Sequence, residues 1–113
     1  MRDDLDIATV KDRLATALAA LDAEDAAGRD EQATVTLDQQ SVGRLSRMDA
    51  MQRQAMAQAT ARRRVAERAR IRSAIARLDE GEYGYCTDCG EDIDPARLEA
   101  NPAVALCLTC ARG

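Results

Sequence analysis

The sequence predicts a mainly α protein, a long antiparallel coiled-coil helical hairpin followed by a small C-terminal four-cysteine finger. Three observations carry this prediction. Bulky apolar residues near the start recur at helical spacing, a proline-free stretch of good helix formers runs from residue 37 to residue 79, and all four cysteines of the 113-residue chain fall after residue 85 as two C-x-x-C pairs. At 12.3 kDa the chain is one folding unit, or a small one with an appendage, which excludes a large enzyme.

The first element is a helix over about residues 3–26. Ile7, Val10, Leu14, Leu18 and Leu21 form one stripe, because residues three and four apart share a helix face. Asp3, Asp4 and Asp6 sit where carboxylates favour the positive end of the helix dipole, and Gly28 is placed to end the helix. Residues 28–36 read as the connection: they are polar, carry β-branched Thr34, Val35 and Thr36, and keep no helical period. Thr36-Leu37-Asp38-Gln39 then matches the capping box that opens a helix, in which the Thr and Gln side chains satisfy exposed backbone N–H groups.

The second helix is expected over about residues 37–79, with only Gly43 inside it and Gly81 just beyond its end. At roughly 1.5 Å per residue it would run about 65 Å, too long to wrap a compact core, so it must pack lengthwise. Val42, Leu45, Met48, Met51, Ala55, Ala59, Val65, Ala69, Ile71, Ile75 and Leu78 alternate large and small residues and suit close pairing with the first helix. On this reading the hairpin occupies residues 1–80 and the finger residues 81–113.

Composition narrows the function. Apolar residues make up 46% of the chain, but 23 of them are Ala and the only aromatics are Tyr83 and Tyr85. Bulky side chains remove most of the area from water, so helix pairing, a metal or a partner must complete the stabilisation. There is no His, which removes the commonest general base, the Ser-His and Cys-His nucleophile pairs and every imidazole metal site. No enzyme is expected. The N-terminus lacks the basic start and apolar stretch of a secretory signal. The longest apolar run, Ala103 to Leu108, is far below the about 18 residues of a membrane helix, so the expectation is a cytoplasmic protein.

The formal net charge of -4 divides into three blocks. Residues 1–40 carry 4 basic and 10 acidic side chains, residues 41–78 carry 10 and 2, and residues 79–113 carry 2 and 8. Fifteen of the sixteen basic residues are Arg, which suits bidentate binding of anions. The basic block reads either as a solvated helix face balanced by acidic neighbours or as a stripe that meets phosphate.

The cysteines follow the pattern Cys86-x2-Cys89-x17-Cys107-x2-Cys110. Each C-x-x-C turn sets two thiolates on one side of a tight knuckle, and two such knuckles make the closed tetrahedral sulfur site that Zn2+ prefers. Gly90 permits the positive φ that such a knuckle needs, and Tyr83, Tyr85, Ile93, Leu98, Val104 and Leu106 are near enough to wall the site. Four protein thiolates leave no open coordination position, so the zinc is expected to be structural, and to contribute folding free energy.

Gly81-Glu82-Tyr83-Gly84-Tyr85-Cys86-Thr87-Asp88-Cys89-Gly90-Glu91-Asp92-Ile93, then Arg97-Leu98-Glu99-Ala100-Asn101-Pro102 and Cys107-Leu108-Thr109-Cys110, closely resembles the signature of the DksA/TraR family of C4 zinc-finger proteins. The resemblance implies a bacterial transcription regulator that binds RNA polymerase rather than DNA. In that family the coiled coil enters the secondary channel of the polymerase and shifts the lifetime of promoter complexes, often together with ppGpp, in the stringent response. Active members carry D-x-x-D-x-A at the coiled-coil tip; here the string occurs as Asp22-Ala23-Glu24-Asp25-Ala26-Ala27, which makes Asp22, Asp25 and Ala27 the tip candidates if the hairpin turns after them. By ungapped count from the first cysteine, Arg63 and Arg70 fall where the family places basic residues that face ppGpp and polymerase. Several members continue into a C-terminal helix, whereas three residues follow Cys110 here.

Two further readings stand beside this one. A family-fold paralog lacking the usual tip activity would follow from the absence of the tip motif at its usual distance from the first cysteine. A zinc protein using its Arg-rich helix on nucleic acid is opposed by the pI of about 4.8, the acidic blocks flanking that helix and the lack of stacking aromatics, so direct DNA binding is not expected.

Overall fold

The computed structural model describes residues 2–39 and 44–113, with side chains described outside residues 28–46. Among these residues four helices form, α1 (Ile7–Gln39), α2 (Arg44–Glu80), α3 (Pro95–Ala100) and α4 (Leu108–Ala111), and the only strand-like pairing is a single bridge between Tyr85 and Asp92. The architecture is the expected one, a helical coiled-coil hairpin followed by a four-cysteine finger.

The helix boundaries differ from the sequence expectation. Helix α1 starts at Ile7, because Asp6 caps it: its carboxylate accepts the Thr9 N–H at 3.3 Å and the Thr9 hydroxyl at 2.8 Å. It then continues through residues 28–36, the expected connection, to Gln39. The Thr36–Gln39 motif therefore lies at the end of α1, and α2 opens only at Arg44. Helix propensity explains the difference. A β-branched residue costs at most about 0.7 kcal/mol relative to Ala and a Gly about 1 kcal/mol, amounts too small to stop a helix by themselves, whereas the about 3 kcal/mol penalty of Pro is not met before Pro95. Val42 and Gly43 lie outside the described residues. The other end of α2 is as expected: Gly81 has φ 77°, the Glu82 N–H donates to the Arg77 carbonyl at 2.8 Å and the Gly81 N–H to the Leu78 carbonyl at 3.3 Å, closing the last turn.

The chain forms two compact units, one from Met1–Leu18 with Ala69–Gly113 and the other from Ala19–Arg68. In the first, Leu14, Ile71, Ala74 and Leu78 are buried on the helices, and Tyr83, Ile93, Leu98 and Ala103 are buried in the finger. The helices run antiparallel there, with Lys11 Nζ 3.5 Å from Asp79 Oδ1.

In the second unit the pairing face is not the apolar one. Met48, Met51 and Val65, expected against α1, are exposed by 59%, 62% and 59%, as is Met56. The less exposed residues include Ala50, Gln54, Ala57, Ala61, Arg64 and Arg68, and of the expected apolar series Ala59 is half-buried with them. The reason is register. The series from Ala50 to Arg68 keeps alternating steps of four and three residues, the coiled-coil period, whereas the apolar series jumps from Ala59 to Val65, a step no helix face makes.

Charge closes this interface. Arg64 Nε donates to Asp25 Oδ1 at 2.7 Å, Arg68 Nη2 pairs with Asp25 Oδ2, and Arg68 Nε donates to Asp22 Oδ1 at 3.0 Å. The hydrogen bonds from Arg64 and Arg68 hold the Asp25 carboxyl below its ordinary value. A depressed carboxyl pKa stabilises the fold above the unfolded value, near 3.8, and that contribution is lost as pH falls through the folded one. Acid titration below about pH 4 is therefore expected to loosen this unit, and Asp25→Asn to lower Tm by roughly 2–5 °C at neutral pH while removing this part of the acid response. Circular dichroism against pH measures both.

Candidate metal centre

The first knuckle is a two-armed turn. The Cys86 N–H donates to the Glu91 carbonyl and the Ile93 N–H to the Gly84 carbonyl, both at 2.8 Å, flanking the Tyr85–Asp92 bridge. Gly90 has φ 77° and its N–H donates to the Cys86 carbonyl at 2.9 Å, the closure expected of this glycine. The second pair is set by α4: Cys107 is its N-cap and Cys110 lies in its single turn, with the Ala111 N–H on the Cys107 carbonyl at 2.9 Å. The Thr87 N–H donates to the Ala105 carbonyl at 2.9 Å and ties the two knuckles together.

The four Sγ atoms lie within 4.8 Å of one another, and those of Cys89 and Cys107 are 3.7 Å apart. A tetrahedral Zn2+ with bonds of about 2.3 Å requires sulfurs about 3.8 Å apart, so the donor set fits one zinc ion. Backbone N–H groups, first that of Cys107 and then those of Cys89 and Asp88, favour the Cys86 thiolate and lower its pKa to about 6. The Cys110 thiol is pushed far up by the sulfurs of Cys107, Cys86 and Cys89 around it. Four sulfurs held this close, with the Cys86 thiolate favoured and the Cys110 thiol pushed up by its neighbours, suit a cation, and zinc held by these four residues would cross-link the two knuckles.

The surroundings hold the knuckles from the protein side. Helix α3 is capped by Asp94, whose Oδ1 accepts the Ala96 N–H at 3.0 Å, and Pro95 occupies its first turn, where a missing N–H costs nothing. Its Leu98 is buried, and Arg97 Nε donates to the Leu106 carbonyl at 3.0 Å, bracing the chain just before Cys107. Tyr83 is fully buried and its hydroxyl donates to the Pro102 carbonyl at 2.8 Å. Of the residues expected to wall the site, Tyr83, Ile93 and Leu98 are buried, and Tyr85, Val104 and Leu106 are half-buried.

The other candidates are placed differently from one another. Asp22 and Asp25 are not at a turn: they lie well inside α1 in the ion pairs with Arg64 and Arg68, because the helix continues to Gln39, and Ala27 is exposed on the same helix. Arg63 is exposed and donates Nη2 to Thr60 Oγ1 at 3.0 Å. Arg70 lines a cavity of about 490 Å3 together with Arg77, Arg97, Asn101, Val104 and Leu106. The Nη2 of Arg77 is buried without a hydrogen-bond partner. Sequence reasoning missed Arg77 and Arg97, which read only as part of the basic block and of the R-L-x-A string. It also missed Arg2, a charged residue at the N-terminus that the fold buries.

Residues 81–113 match the family model of the prokaryotic dksA/traR C4-type zinc finger. Curated relatives include the RNA polymerase-binding transcription factor DksA of Haemophilus influenzae, 44% identical over 41 residues that cover 36% of this chain and 28% of the relative. The protein of the same description from Escherichia coli is 37% identical over 41 residues, 36% of this chain and 27% of the relative, and that of Caulobacter vibrioides 46% over 37 residues, 33% and 26%. The chain thus matches about a quarter of the length of these relatives. Among solved structures, transcription factor DksA2 from Pseudomonas aeruginosa superposes with a TM-score of 0.83 at 21% identity, covering 97% of this chain and 83% of that one.

Proposed function

We propose that the chain, whose finger is similar to the dksA/traR C4-type zinc finger, is a transcription regulator that binds RNA polymerase, entering its secondary channel in the cytoplasm and modulating initiation. The observation that carries this reading is the four-cysteine site with its family-specific surroundings, Tyr83, Gly84 and Gly90 at the first knuckle and Arg97 and Leu98 before the second, on a helical hairpin of the DksA2 fold. The exposed Met48, Met51, Met56 and Val65 on α2, beside exposed Arg47, Arg53, Arg62 and Arg63, support docking of that helix on a protein surface. No helix among the described residues is long and apolar enough to cross a membrane.

The basic cavity beside the finger, with Arg70, Arg77 and Arg97 in its wall, supports an anionic co-ligand, and we assign ppGpp to it when the chain is on polymerase. The zinc-loaded protein is expected to co-purify with polymerase core and to change output from stable-RNA promoters, with Arg70→Ala reducing the response to ppGpp and leaving core binding intact. Absence of both co-purification and a promoter effect would remove the reading. One observation favours a second reading, a family-fold paralog without tip activity: Asp22 and Asp25 are engaged with Arg64 and Arg68. Core binding with no promoter effect would select it.

A further inference from the structure

The zinc-binding knuckle is held by a side chain from the opposite end of the sequence. The Arg2 side chain is only 6% exposed. Its Nη1 donates to the Gly84 carbonyl at 2.8 Å and to the Ile93 carbonyl at 2.6 Å. These two carbonyls end the two arms of the first knuckle, and Gly84 O already accepts the Ile93 N–H across them. One guanidinium nitrogen therefore spans the base of the loop that carries Cys86 and Cys89.

The other edge of the guanidinium is fixed as well. Nε and Nη2 donate to Asp4 Oδ1 and Oδ2 at 3.1 and 2.7 Å, and Asp92 Oδ2 lies 3.9 Å from Nε. The fit extends to the backbone. Gly84 has φ 93°, and a Cβ built on it would lie 2.8 Å from Arg2 Cδ and 2.9 Å from Leu5 Cδ1, so the N-terminal segment rests on a position that only glycine leaves open.

We propose that Arg2 is a positioning residue for the zinc site, a clamp that keeps the arms bearing Cys86 and Cys89 closed and so slows release of the ion. Zinc leaves by losing ligands in turn, and the exposed Cys89 is the thiolate with most room to swing away. Splaying the arms gives it that freedom; a charged donor shared between both arms opposes the splay. A lysine has no planar fork, so it cannot serve the Asp4 carboxylate and both carbonyls together. The clamp is internal to the chain and does not depend on which partner the protein binds.

The test uses the zinc-loaded full chain and follows transfer of zinc to a chelating indicator, with helicity monitored in parallel. Arg2→Ala is expected to speed transfer about tenfold, within the range seen when groups that orient metal ligands are removed, and Arg2→Lys to fall between it and wild type. Leu14→Ala, which weakens the helix packing of the same unit, is expected to lower Tm while transferring zinc close to the wild-type rate. A wild-type rate for folded Arg2→Ala overturns the proposal, as does a Leu14→Ala rate matching that of Arg2→Ala, since general loosening would then account for both. If Arg2→Ala does not fold, Asp4→Asn takes its place: faster transfer supports the clamp, and an unchanged rate overturns it.

Discussion

Replacing Cys107 with serine is expected to abolish stoichiometric zinc binding and to unfold residues 81–113. Three thiolates hold zinc far less tightly than four, and structural zinc is worth about 10–16 kcal/mol of apparent binding free energy at neutral pH, more than a small module gains from its own core. The loss does not stop at the finger. Tyr83, Ile93 and Leu98 belong to the same compact unit as Leu14, Ile71 and Leu78, so the helix ends in that unit lose cover when the finger melts. Metal analysis should give less than one zinc per chain, and amide exchange should show protection lost at Thr87 and Ile93, whose N–H groups bond the Ala105 and Gly84 carbonyls in the wild type. One zinc per chain with those amides still protected would mean that the four sulfurs are not the ligand set.

Leu14→Ala is expected to cost about 3 kcal/mol and to lower Tm by roughly 10 °C or more. Leu14 is fully buried, with Ile71, Ala74 and Leu78 of α2 buried in the same unit. In a chain with no Phe or Trp, few side chains are large enough to close the resulting hole. Met51→Ala is the contrasting case. Met51 belongs to the apolar series expected along the second helix, yet its side chain is 62% exposed, so its removal should stay within about 0.5 kcal/mol of wild type. Thermal unfolding of the two variants side by side checks the pair; similar shifts would mean that Met51 is covered in solution.

These two methionine and leucine positions show where sequence reading succeeds and where it fails. Along α1 the bulky residues are themselves the pairing stripe, so Ile7, Val10, Leu14 and Leu21, all buried or half-buried, are legible from spacing alone. Along the part of α2 in the second unit the pairing stripe is Ala, Gln and Arg, and a search for bulky residues follows the wrong face. The helix boundary failed for a local reason: Gly28 and the β-branched run at Thr34–Thr36 are weak signals, costing at most about 1 kcal/mol each, and α1 runs through them to Gln39. That error moved the expected turn, and with it Asp22 and Asp25.

What the residue order alone determined was the metal centre. Two C-x-x-C pairs with a glycine after the first determine which four sulfurs meet, because each pair sets its thiols on one side of its own turn and zinc prefers a closed set of four. The tertiary structure alone decided the register of α2, the engagement of Asp22 and Asp25 by Arg64 and Arg68, and the burial of Arg2 against Gly84 and Ile93. Each of these joins residues distant in sequence through a charge or a close approach, and a pattern read along one strand of chain carries no distance between its ends.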